Sequence, residues 1–599
     1  MKSKIFHNRL NLVIFFNIIA LLLVITKLFS IQVIYGSDYK DIADNQHLRK
    51  STLKAQRGAI YSVDDFPLAD IEVTYLLYVQ PKVIEDPDKV VKVLVDVLDK
   101  KVLDDSKLDE SDKKLKRLVL EERYKSRITL DLYWVLIQSK VTKQQKEEIE
   151  KYHLKGVGFT KEFTRTYPEK TLASHILGFV GQDENGENQG YFGIEGKYDG
   201  DLRGRSGQKI EERDAQGKLI LLGARKIEPA KVGRDVHLSI DRGVQSIIEP
   251  IIKKAVINYG AKSASVIVIE PKTGRVIAMA NYPTFNPADL TEKNCTTIDE
   301  NVEDISKALD CKEERRNIAI SDIYEPGSVI KPITLSTAID LGYVKPQDTI
   351  NDDGPLYAST HKIENWNFQH LGVISMTQIL QYSNNIGAAK VALKIGSDNL
   401  YKSFEKFHLS SPTGIDLEGE SSGYLRSLDS WRKIDLATAA FGQGISATPL
   451  QVLTAFCIIA NDGKFIKPTV VDYIYDRNED RKFMIDQKKE SPVIKKETAD
   501  IMTEMLVNAT QAGLGKTGFL GKYKVAAKTG TAQIPENGKY NPTKTNTTFV
   551  GYLATNKEFA MIVKFEEPKT NIYANGNAVP TWFKIAGKLT DYFGIQPDY

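Results

Sequence analysis

Three short motifs in a fixed order constrain the fold of this chain more than any other feature. Ser328 and Lys331 form a Ser-x-x-Lys pair that follows a Glu-Pro-Gly turn and opens an apolar helical run. The Ser-Asn-Asn of residues 383–385 joins two apolar helices, and the Lys-Thr-Gly-Thr of residues 528–531 follows an alternating strand pattern. A fold that uses all three must bring a helix start, a helix junction and a strand edge together. Strands at both ends of residues 232–599, with helices between them, indicate a mixed α/β domain.

The first motif pairs an alcohol with an amine. Residues i and i+3 share one face of a helix, so Lys331 should stand beside the Ser328 hydroxyl. A neutral Lys331 would take the Ser328 proton as the hydroxyl attacks a carbonyl. Lowering a lysine pKa by about 3 units from about 10.4 costs roughly 4 kcal/mol, and burial and the nearby Lys528 are the available causes. The alternative role for Ser328 is to cap the helix that follows it.

The other motifs supply the remaining chemistry. We expect Ser383 to pass the proton to the leaving amine and Asn385 to hold Lys331 and the substrate amide. We expect Lys528 to be cationic and to face a substrate carboxylate. The adjoining strand should bind the substrate. A backbone N–H of this strand and the N–H of Ser328 should also stabilise the oxyanion, and the loss of one such donor typically raises the activation free energy by about 3 kcal/mol. The residues of that strand are Thr529, Gly530 and Thr531.

Each motif also occurs elsewhere in the chain, in contexts with simpler explanations. The Ser-x-x-Lys spacing recurs at Ser37, Ser51, Ser111, Ser206, Ser359, Ser403 and Ser430. A second Ser-x-Asn, at Ser397, lies at a glycine break before a helix, so helix capping explains it. Two further Lys-Thr-Gly sequences begin at Lys272, in a predicted hairpin turn, and at Lys516, where Thr510 replaces the glycine that a phosphate loop needs. We therefore assign the site to the three motifs named first.

The chain begins with an apolar run of about the length that spans a bilayer, roughly 20 residues. Residues 12–29 are apolar apart from Asn17 and Lys27, and no Ala-x-Ala-like cleavage site follows. We therefore expect an uncleaved transmembrane anchor over residues 12–31, in preference to a secretory signal peptide. Basic residues without acidic ones precede the run, which favours a cytoplasmic N-terminus over residues 1–11 and a catalytic domain outside the cytoplasm.

Length and composition limit the number of domains and the kinds of ligand that this chain can have. At 599 residues the chain should form two or more domains, and we expect a non-catalytic module over residues 32–231 before a catalytic domain over residues 232–599. The 81 basic and 78 acidic residues nearly cancel, so we expect no nucleic-acid partner. No metal-ligand spacing is present, and we expect neither a metal nor a cofactor. Cys295 and Cys311 lie in one polar stretch, where they form either a disulfide or two surface thiols.

The motifs resemble those of the class B penicillin-binding proteins, the membrane-anchored D,D-transpeptidases that crosslink peptidoglycan. The likeness covers nearly the whole chain. Residues 441–451 look like a family signature, residues 57–60 like the opening of the pedestal, and residues 193–207 like the loop before the transpeptidase domain. Residues 430–446 and 523–535 look closer to the division-type septal enzymes than to the elongation-type ones.

This resemblance implies a fold, a reaction and partners. The fold would be a β-lactamase-like, penicilloyl-serine transferase domain behind an elongated, dimerisation-type pedestal and one transmembrane helix. The reaction would be acyl transfer from a stem peptide ending in D-Ala-D-Ala through a Ser328 acyl-enzyme, with release of D-Ala. β-Lactams would inhibit it by acylating the same serine. The partners would be a SEDS-family glycosyltransferase and other division proteins at the plasma membrane, in septal cell-wall synthesis.

Two other classes of protein share parts of this pattern. A D,D-carboxypeptidase or β-lactamase would form the same acyl-enzyme and transfer it to water, but such enzymes rarely carry an anchored module of this size. A catalytically silent cell-wall scaffold would not need the complete motif set, and a β-lactam sensor should have several membrane spans. Two departures from the family stand out: Val329-Ile330 in place of the commoner Thr-Phe, and an apparent insertion that contains Cys295 and Cys311.

Overall fold

The computed structural model describes residues 2–40, 48–104, 109–184, 186–212, 220, 225–290, 315–358, 360–485, 490–515 and 518–599. Cys295, Cys311, Ser359 and Lys516 lie outside these residues. Both alternatives for the two cysteines, a disulfide and two surface thiols, therefore stay predictions. The chain forms two compact units, one of Met1–Gln56 with Gly204–Gly233 and one of Arg57–Arg203 with Arg234–Tyr599.

The α-helices of the described residues are, in chain order, α1 Lys2–Phe29, α2 Pro87–Leu98, α3 Lys100–Leu103, α4 Glu110–Ile128, α5 Lys143–Glu150, α6 Ser174–Leu177, α7 Gly193–Lys197, α8 Asp199–Leu202, α9 Arg242–Tyr259, α10 Ile318–Ser321, α11 Lys331–Asp340, α12 Met376–Gln381, α13 Asn385–Ile395, α14 Ser397–Lys406, α15 Lys433–Ala439, α16 Pro449–Ala460, α17 Lys496–Leu514 and α18 Ala578–Phe593.

The strands are, in the same order, β1 Leu48–Leu53, β2 Ile60–Tyr61, β3 Pro67–Val79, β4 Val135–Val141, β5 Val157–Thr166, β6 Phe179–Gln182, β7 Asn188–Tyr191, β8 Gly207–Glu212, β9 Arg225–Glu228, β10 Asp235–Leu238, β11 Ser263–Ile269, β12 Val276–Tyr282, β13 Thr349–Asp352, β14 Leu356–Ala358, β15 His361–Ile363, β16 Gly372–Ser375, β17 Lys464–Phe465, β18 Val471–Asp476, β19 Arg481–Met484, β20 Ser491–Pro492, β21 Val525–Glu536, β22 Lys539–Leu553 and β23 Ala560–Glu566.

The first unit contains the apolar N-terminal helix and a small sheet. A π-helical turn, Ser30–Ile34, continues α1. Within the 25 residues of Leu10–Ile34, an 18-residue window has a mean hydropathy of 2.6 and no buried residue. A helix that is apolar all round and uncovered by protein suits a lipid environment and not water. This agrees with one membrane anchor near the predicted residues 12–31. In the same unit β1, β8 and β9 form an antiparallel sheet in that order.

A five-stranded antiparallel sheet, ordered β12-β11-β23-β22-β21, organises the second unit. Every residue of β11 is buried, so both faces of the sheet are covered. Val266 and Val268 pack with α9 and α18 on one face, whereas Ile267 and Ile269 pack on the other face with the helices of the middle of the chain. Strands from both ends of residues 232–599 thus enclose a helical middle, as the sequence predicts.

The helix α16 packs against the five-stranded sheet and against α17, and it is buried along its whole length. Its start is fixed by a capping box, in which Thr448 and Gln451 each bond the other's backbone N–H. The sequence predicts helices throughout residues 328–512, but the structure has antiparallel pairs there, β13 with β16, β14 with β15, β17 with β20 and β18 with β19. All but β18 have two to four residues, too few to show an alternating pattern, and β18 has six.

A further sheet contains strands from both sides of the predicted boundary at residue 232. It is ordered β19-β18-β10-β2-β3-β4, and β5 also pairs with β3. β2 to β5 belong to the predicted non-catalytic module and β10 and β18 to the predicted catalytic domain, with β2 parallel to β10. Strands from both sides of residue 232 therefore pair within one sheet, and the predicted domain limits stay a prediction.

The segment at residues 57–60 is held by buried charges. Arg57 donates from Nε to Oε2 of Glu195 at 2.7 Å and from Nη1 to Oδ1 of Asp199 at 2.6 Å. Arg165 donates from Nε to the other oxygen of Glu195 at 2.6 Å. Because removing one member of a buried, hydrogen-bonded charge group is strongly destabilising, this network fixes β2 against α7 and α8.

Candidate active site

Ser328 lies in a short 3-10 turn, Gly327–Ile330, that runs directly into α11. Neither the turn nor α11 has a side-chain cap, so Ser328 does not cap the helix. Its Oγ instead lies 2.7 Å from Nζ of Lys331. The structure therefore brings these two side chains together, as their spacing predicts.

Lys331 is the centre of the site. It has no exposed surface, and its Nζ lies 2.7 Å from the backbone oxygen of Ser383, 3.1 Å from the Ser383 Oγ and 2.8 Å from Oδ1 of Asn385. No carboxylate is among these partners. Burial lowers the pKa of Lys331 well below its usual value, and the positive charge of Lys528 lowers it further. An uncharged amine keeps a lone pair that can accept a proton.

Ser383 connects α12 to α13 and stands between two amines. Its Oγ lies 3.1 Å from Nζ of Lys331 and 3.1 Å from Nζ of Lys528. Its φ is +54°, in the left-handed region that costs a non-glycine residue conformational energy. Such strain persists only where the surroundings impose it, and here it places the hydroxyl between both lysines.

A buried carboxylate that the sequence analysis missed holds the Ser-x-Asn motif. Asp352, at the end of β13, has no exposed surface and accepts hydrogen bonds from Asn384 Nδ2 at 2.6 Å and from the Leu371 N–H at 3.0 Å. Asn365 donates to both of its oxygens, at 3.2 and 3.0 Å, and His370 Nδ1 lies 3.3 Å from Oδ1. The middle residue of the motif is thereby tied to a separate segment.

Asn365 carries this connection to Asn385, the last residue of the Ser-x-Asn motif. Its Oδ1 accepts from the backbone N–H groups of Asn385 at 3.0 Å and Ile386 at 3.3 Å. Asn385 in turn donates from Nδ2 to the backbone oxygen of Glu364 at 3.0 Å, which leaves its Oδ1 directed at Lys331. Asp352 and Asn365 belong to no sequence motif, and both lie in polar stretches that do not set them apart from their neighbours.

The Lys-Thr-Gly strand forms the opposite side of the site. Lys528 is buried in β21, donates to the backbone oxygen of Thr529 at 3.1 Å, and lies 3.3 Å from its Oγ1. Burial lowers the pKa of Lys528 to about 7, so this amine is less firmly cationic than the sequence analysis expects. Thr531 Oγ1 accepts from the Ala574 N–H at 3.1 Å.

Gly530 allows this strand to approach the nucleophile. A Cβ on Gly530 would lie 2.7 Å from the backbone oxygen of Pro326 and 3.0 Å from Cγ1 of Val329, on either side of Ser328. Contacts this short would push β21 away from the turn. A glycine is therefore required where the third motif meets the first.

The loop at residues 441–444 supports the nucleophile from a third direction. Gly442 has a φ of +79°, accepts a hydrogen bond from the Gly327 N–H at 3.1 Å, and would place a Cβ 2.2 Å from the Gly327 oxygen. The ring of Phe441 lies 6.0 Å from Nζ of Lys331. The signature that the sequence analysis noted at residues 441–451 thus begins with a segment in contact with the Ser328 turn.

The alternative motif copies lie elsewhere. The cap of α14 is Gly396, with no side-chain bond, so the prediction that Ser397 caps this helix is wrong. A φ of +83° at this position favours glycine over serine, and Ser397 becomes the first helical residue. Asn399 donates to the Ile395 oxygen and to the Tyr343 hydroxyl.

Lys272, in the first of the other Lys-Thr-Gly copies, is exposed in the turn between β11 and β12. Among the described residues no group of three histidines, cysteines or carboxylates could hold a metal.

Comparison with known proteins identifies two regions. Residues 264–586 match the family described as penicillin binding protein transpeptidase domain, and residues 52–238 match penicillin-binding protein dimerisation domain. Stage V sporulation protein D of Bacillus subtilis (strain 168) is 29% identical over 599 residues, 99% of this chain and 86% of that protein. The peptidoglycan D,D-transpeptidase FtsI of Escherichia coli (strain K12) is 28% identical over 467 residues, 78% of this chain and 73% of that one.

A solved structure shares the fold at lower identity. The crystal structure of penicillin binding protein 2X from Streptococcus thermophilus superposes with a TM-score of 0.71 at 24% identity, covering 91% of this chain and 80% of that chain. This likeness concerns the fold alone.

Proposed function

The chain belongs to the penicillin-binding protein family and is a peptidoglycan D,D-transpeptidase, and we propose that Ser328 is its acylated nucleophile. The observation that carries this proposal is the 2.7 Å approach of a fully buried Lys331 Nζ to the Ser328 Oγ. Stem peptides and β-lactams are its ligands. The five proposed catalytic residues are Ser328, Lys331, Ser383, Asn385 and Lys528.

In the proposed acylation step, neutral Lys331 takes the Ser328 proton while the Oγ attacks the carbonyl of the penultimate D-Ala. Backbone N–H groups of Ser328 and Thr531 stabilise the oxyanion of the tetrahedral intermediate, and Asn385 fixes both Lys331 and the substrate amide. The C–N bond to the terminal D-Ala then breaks. Its nitrogen receives the proton from Lys331 through the Ser383 hydroxyl, and an ester remains on Ser328.

The second lysine orients the donor. Lys528, Thr529 and Thr531 bind the terminal carboxylate of the stem peptide, while Gly530 keeps the strand close to Ser328. A carboxylate beside Lys528 raises the pKa of that amine again, because the opposite charge favours the protonated form. Substrate binding therefore restores the cation that burial weakens, and this charge in turn keeps Lys331 neutral.

The test is acylation of the full-length protein in detergent by a fluorescent penicillin. We expect stoichiometric labelling of the natural protein and none of Ser328→Ala, while Ser430→Ala, at one of the other Ser-x-x-Lys sites, labels normally. A D-Ala-D-Ala peptide with an amine acceptor should yield both free D-Ala and a crosslinked product. Release of D-Ala without any crosslinked product would identify a carboxypeptidase instead.

The cellular role and topology complete the proposal. We infer a septal role beside a SEDS-family glycosyltransferase and other division proteins, supported by the segments that look like division-type enzymes and by the similarity to FtsI. The chain is a single-pass membrane protein, and we propose a cytoplasmic residue range 1–11 with the catalytic domain outside. Depletion should produce filaments, whereas rounded cells would point to elongation. The limits 32–231 and 232–599 are likewise proposed.

A further inference from the structure

One carboxylate near Ser328 takes no part in the chemistry proposed above. Glu325 lies three residues before Ser328 in the same segment. Its Oε1 accepts from the backbone N–H of Gly444 at 3.0 Å, and its Oε2 accepts from the hydroxyl of Tyr540 at 3.0 Å. Tyr540 belongs to the tip of the β21–β22 hairpin, whose β21 carries the Lys-Thr-Gly motif. The carboxylate thus sits where the nucleophile segment, the 441–444 loop and this hairpin meet.

Glu325 is partly buried, yet no cation accompanies it among the residues that the structure describes. Its two bonding partners are a backbone amide and a phenol, both neutral. Burial raises the pKa of Glu325 above its usual value, the direction expected where no positive charge compensates. Glu325 keeps part of its surface open to water. A partly desolvated carboxylate without a counter-charge, at the edge of a reaction site, is a favourable place for a cation to bind.

The other carboxylates around the site have donors or a counter-charge of their own, although Oε2 of Glu364 accepts no hydrogen bond. Asp352 is surrounded by donors, as described above. Glu364 lies 2.6 Å from Nζ of Lys362, which supplies its counter-charge. Glu325 is therefore the carboxylate of this region, within the described part of the chain, that is left to meet a cation from solution.

The reaction brings such a cation. The acceptor of a transpeptidase is a primary amine, which is protonated at neutral pH and cannot attack in that form. The proposed catalytic set contains two lysines and no carboxylate, so a second ammonium group approaching it is repelled. An acceptor site needs a negative charge that attracts the ammonium and a base that removes its first proton.

We propose that Glu325 binds the cationic amine of the acceptor stem peptide at the edge of the site and accepts its first proton. This inference rests on the proposed transpeptidase function. Gly444 and Tyr540 hold the carboxylate in place, and the rim position lets it receive an acceptor while the donor remains esterified to Ser328.

The proton balance of the transfer step follows from this assignment. The ammonium gives one proton to the Glu325 carboxylate, which later releases it to water. The free amine then attacks the ester carbon, and the bond from that carbon to the Ser328 Oγ breaks. The second proton of the attacking nitrogen reaches Ser328 Oγ through Lys331, which restores the hydroxyl and leaves a neutral amide crosslink.

The experiment separates the two halves of the reaction in the full-length protein in detergent. A D-Ala thioester donor forms the acyl-enzyme, and three acceptors then compete for the acyl group. They are water, Nα-acetyl-D-lysine, whose side-chain amine is cationic, and hydroxylamine, which is uncharged at neutral pH. For Glu325→Gln we expect the KM for the lysine acceptor to rise about tenfold, as for loss of a charged hydrogen-bonded partner. Partition to hydroxylamine and the rate of penicillin acylation should change by less than about threefold.

Tyr540→Phe is the matched variant, because it removes one hydrogen bond to Glu325 but keeps the carboxylate. We expect its acceptor KM to stay within about threefold of the natural protein. The proposal is overturned if Tyr540→Phe reproduces the full loss, since Glu325 would then act only by holding the hairpin. It is also overturned if Glu325→Gln leaves the acceptor KM unchanged, or if it abolishes penicillin labelling. Absence of labelling in the natural protein would instead refute the proposed function.

Discussion

Asn384 donates a hydrogen bond of 2.6 Å from its Nδ2 to Oδ2 of Asp352, a carboxylate with no exposed surface. The middle position of a Ser-x-Asn motif is nominally free, but here it anchors the helix junction that carries Ser383. The negative charge of Asp352 strengthens each bond it accepts. Ser383 and Asn385 are therefore positioned from a strand that belongs to none of the three motifs.

Replacing Asp352 should impair acylation through geometry. In Asp352→Asn the charge is lost and one new N–H group faces existing donors, so we expect the Ser383 junction to shift and the acylation rate to fall by about 100-fold. Stopped-flow labelling with a fluorescent penicillin measures the rate. Asp353→Asn, at the exposed neighbour, is the control and should acylate normally, with melting curves recorded for both variants. A normal rate in Asp352→Asn would remove this residue from the positioning network.

The two Ser-x-Asn copies should respond differently to the same change. Ser383→Ala removes the hydroxyl between two amines, and we expect acylation to slow by 10²–10⁴-fold, the usual range for a lost proton transfer group. Ser397→Ala lies at the first turn of α14 and should leave the rate unchanged. Second-order acylation constants of the two purified variants decide the matter. A slow Ser397→Ala beside a normal Ser383→Ala would reverse the assignment.

The pH dependence of kcat/KM for the donor peptide should report the titration of both Lys331 and Lys528. Lys331 must be neutral, so kcat/KM rises with pH through the lowered pKa of this residue. Lys528 must be protonated to bind the carboxylate, and with a pKa of about 7 it loses its proton above neutrality. We therefore expect kcat/KM for a D-Ala-D-Ala donor to fall above about pH 7, by up to tenfold per pH unit.

Substitution of the strand lysine tests the origin of this decline. An arginine stays charged throughout this range, so Lys528→Arg should abolish the fall above neutrality even if its maximal rate is lower. Lys272→Arg, at the exposed Lys-Thr-Gly copy, should retain the natural profile. Profiles of kcat/KM from about pH 6 to 9 provide the comparison. A decline that persists in Lys528→Arg would have to come from another group.

Two glycines of one loop offer a paired test of close packing. Both Gly442 and Gly444 have left-handed φ values, +79° and +76°. A Cβ at Gly442 would lie 2.2 Å from the Gly327 oxygen, whereas at Gly444 the nearest atom is the Thr438 Oγ1, 3.7 Å away. We expect Gly442→Ala to lower both the melting temperature and the acylation rate, the latter at least about tenfold. Gly444→Ala should show only the conformational cost. Equal effects would mean that backbone strain alone matters.

The proposed topology makes a simple prediction for intact cells. If the N-terminus is cytoplasmic, a protease added to spheroplasts should digest the chain beyond Ile34. A tag fused to the N-terminus should be protected. Immunoblots against the tag and against a C-terminal epitope report both sides. Digestion of the N-terminal tag would place the chain in the opposite orientation.

The local elements of this structure and the meeting of the three motifs could be predicted from sequence, but the contacts that support the motifs from other segments could not. The helix expected at about residues 244–257 is α9, because its apolar spacing and its Asp241 cap are local signals. Ser328 and Lys331 meet because residues three positions apart lie on the same face of a helical turn. In contrast, Asp352 and Asn365 act across segments that no pattern joins. The lowered pKa of Lys528 depends on a burial that only tertiary packing creates.

The shared sheet has a practical consequence for anyone preparing this protein without its anchor. A fragment that starts at residue 232 retains β10 but loses β2, the strand beside it. The exposed N–H and C=O groups along that edge would offer a template for intermolecular association. A soluble version for inhibitor screening should therefore begin before Ile60, or it will be prone to precipitate even though it retains all three motifs.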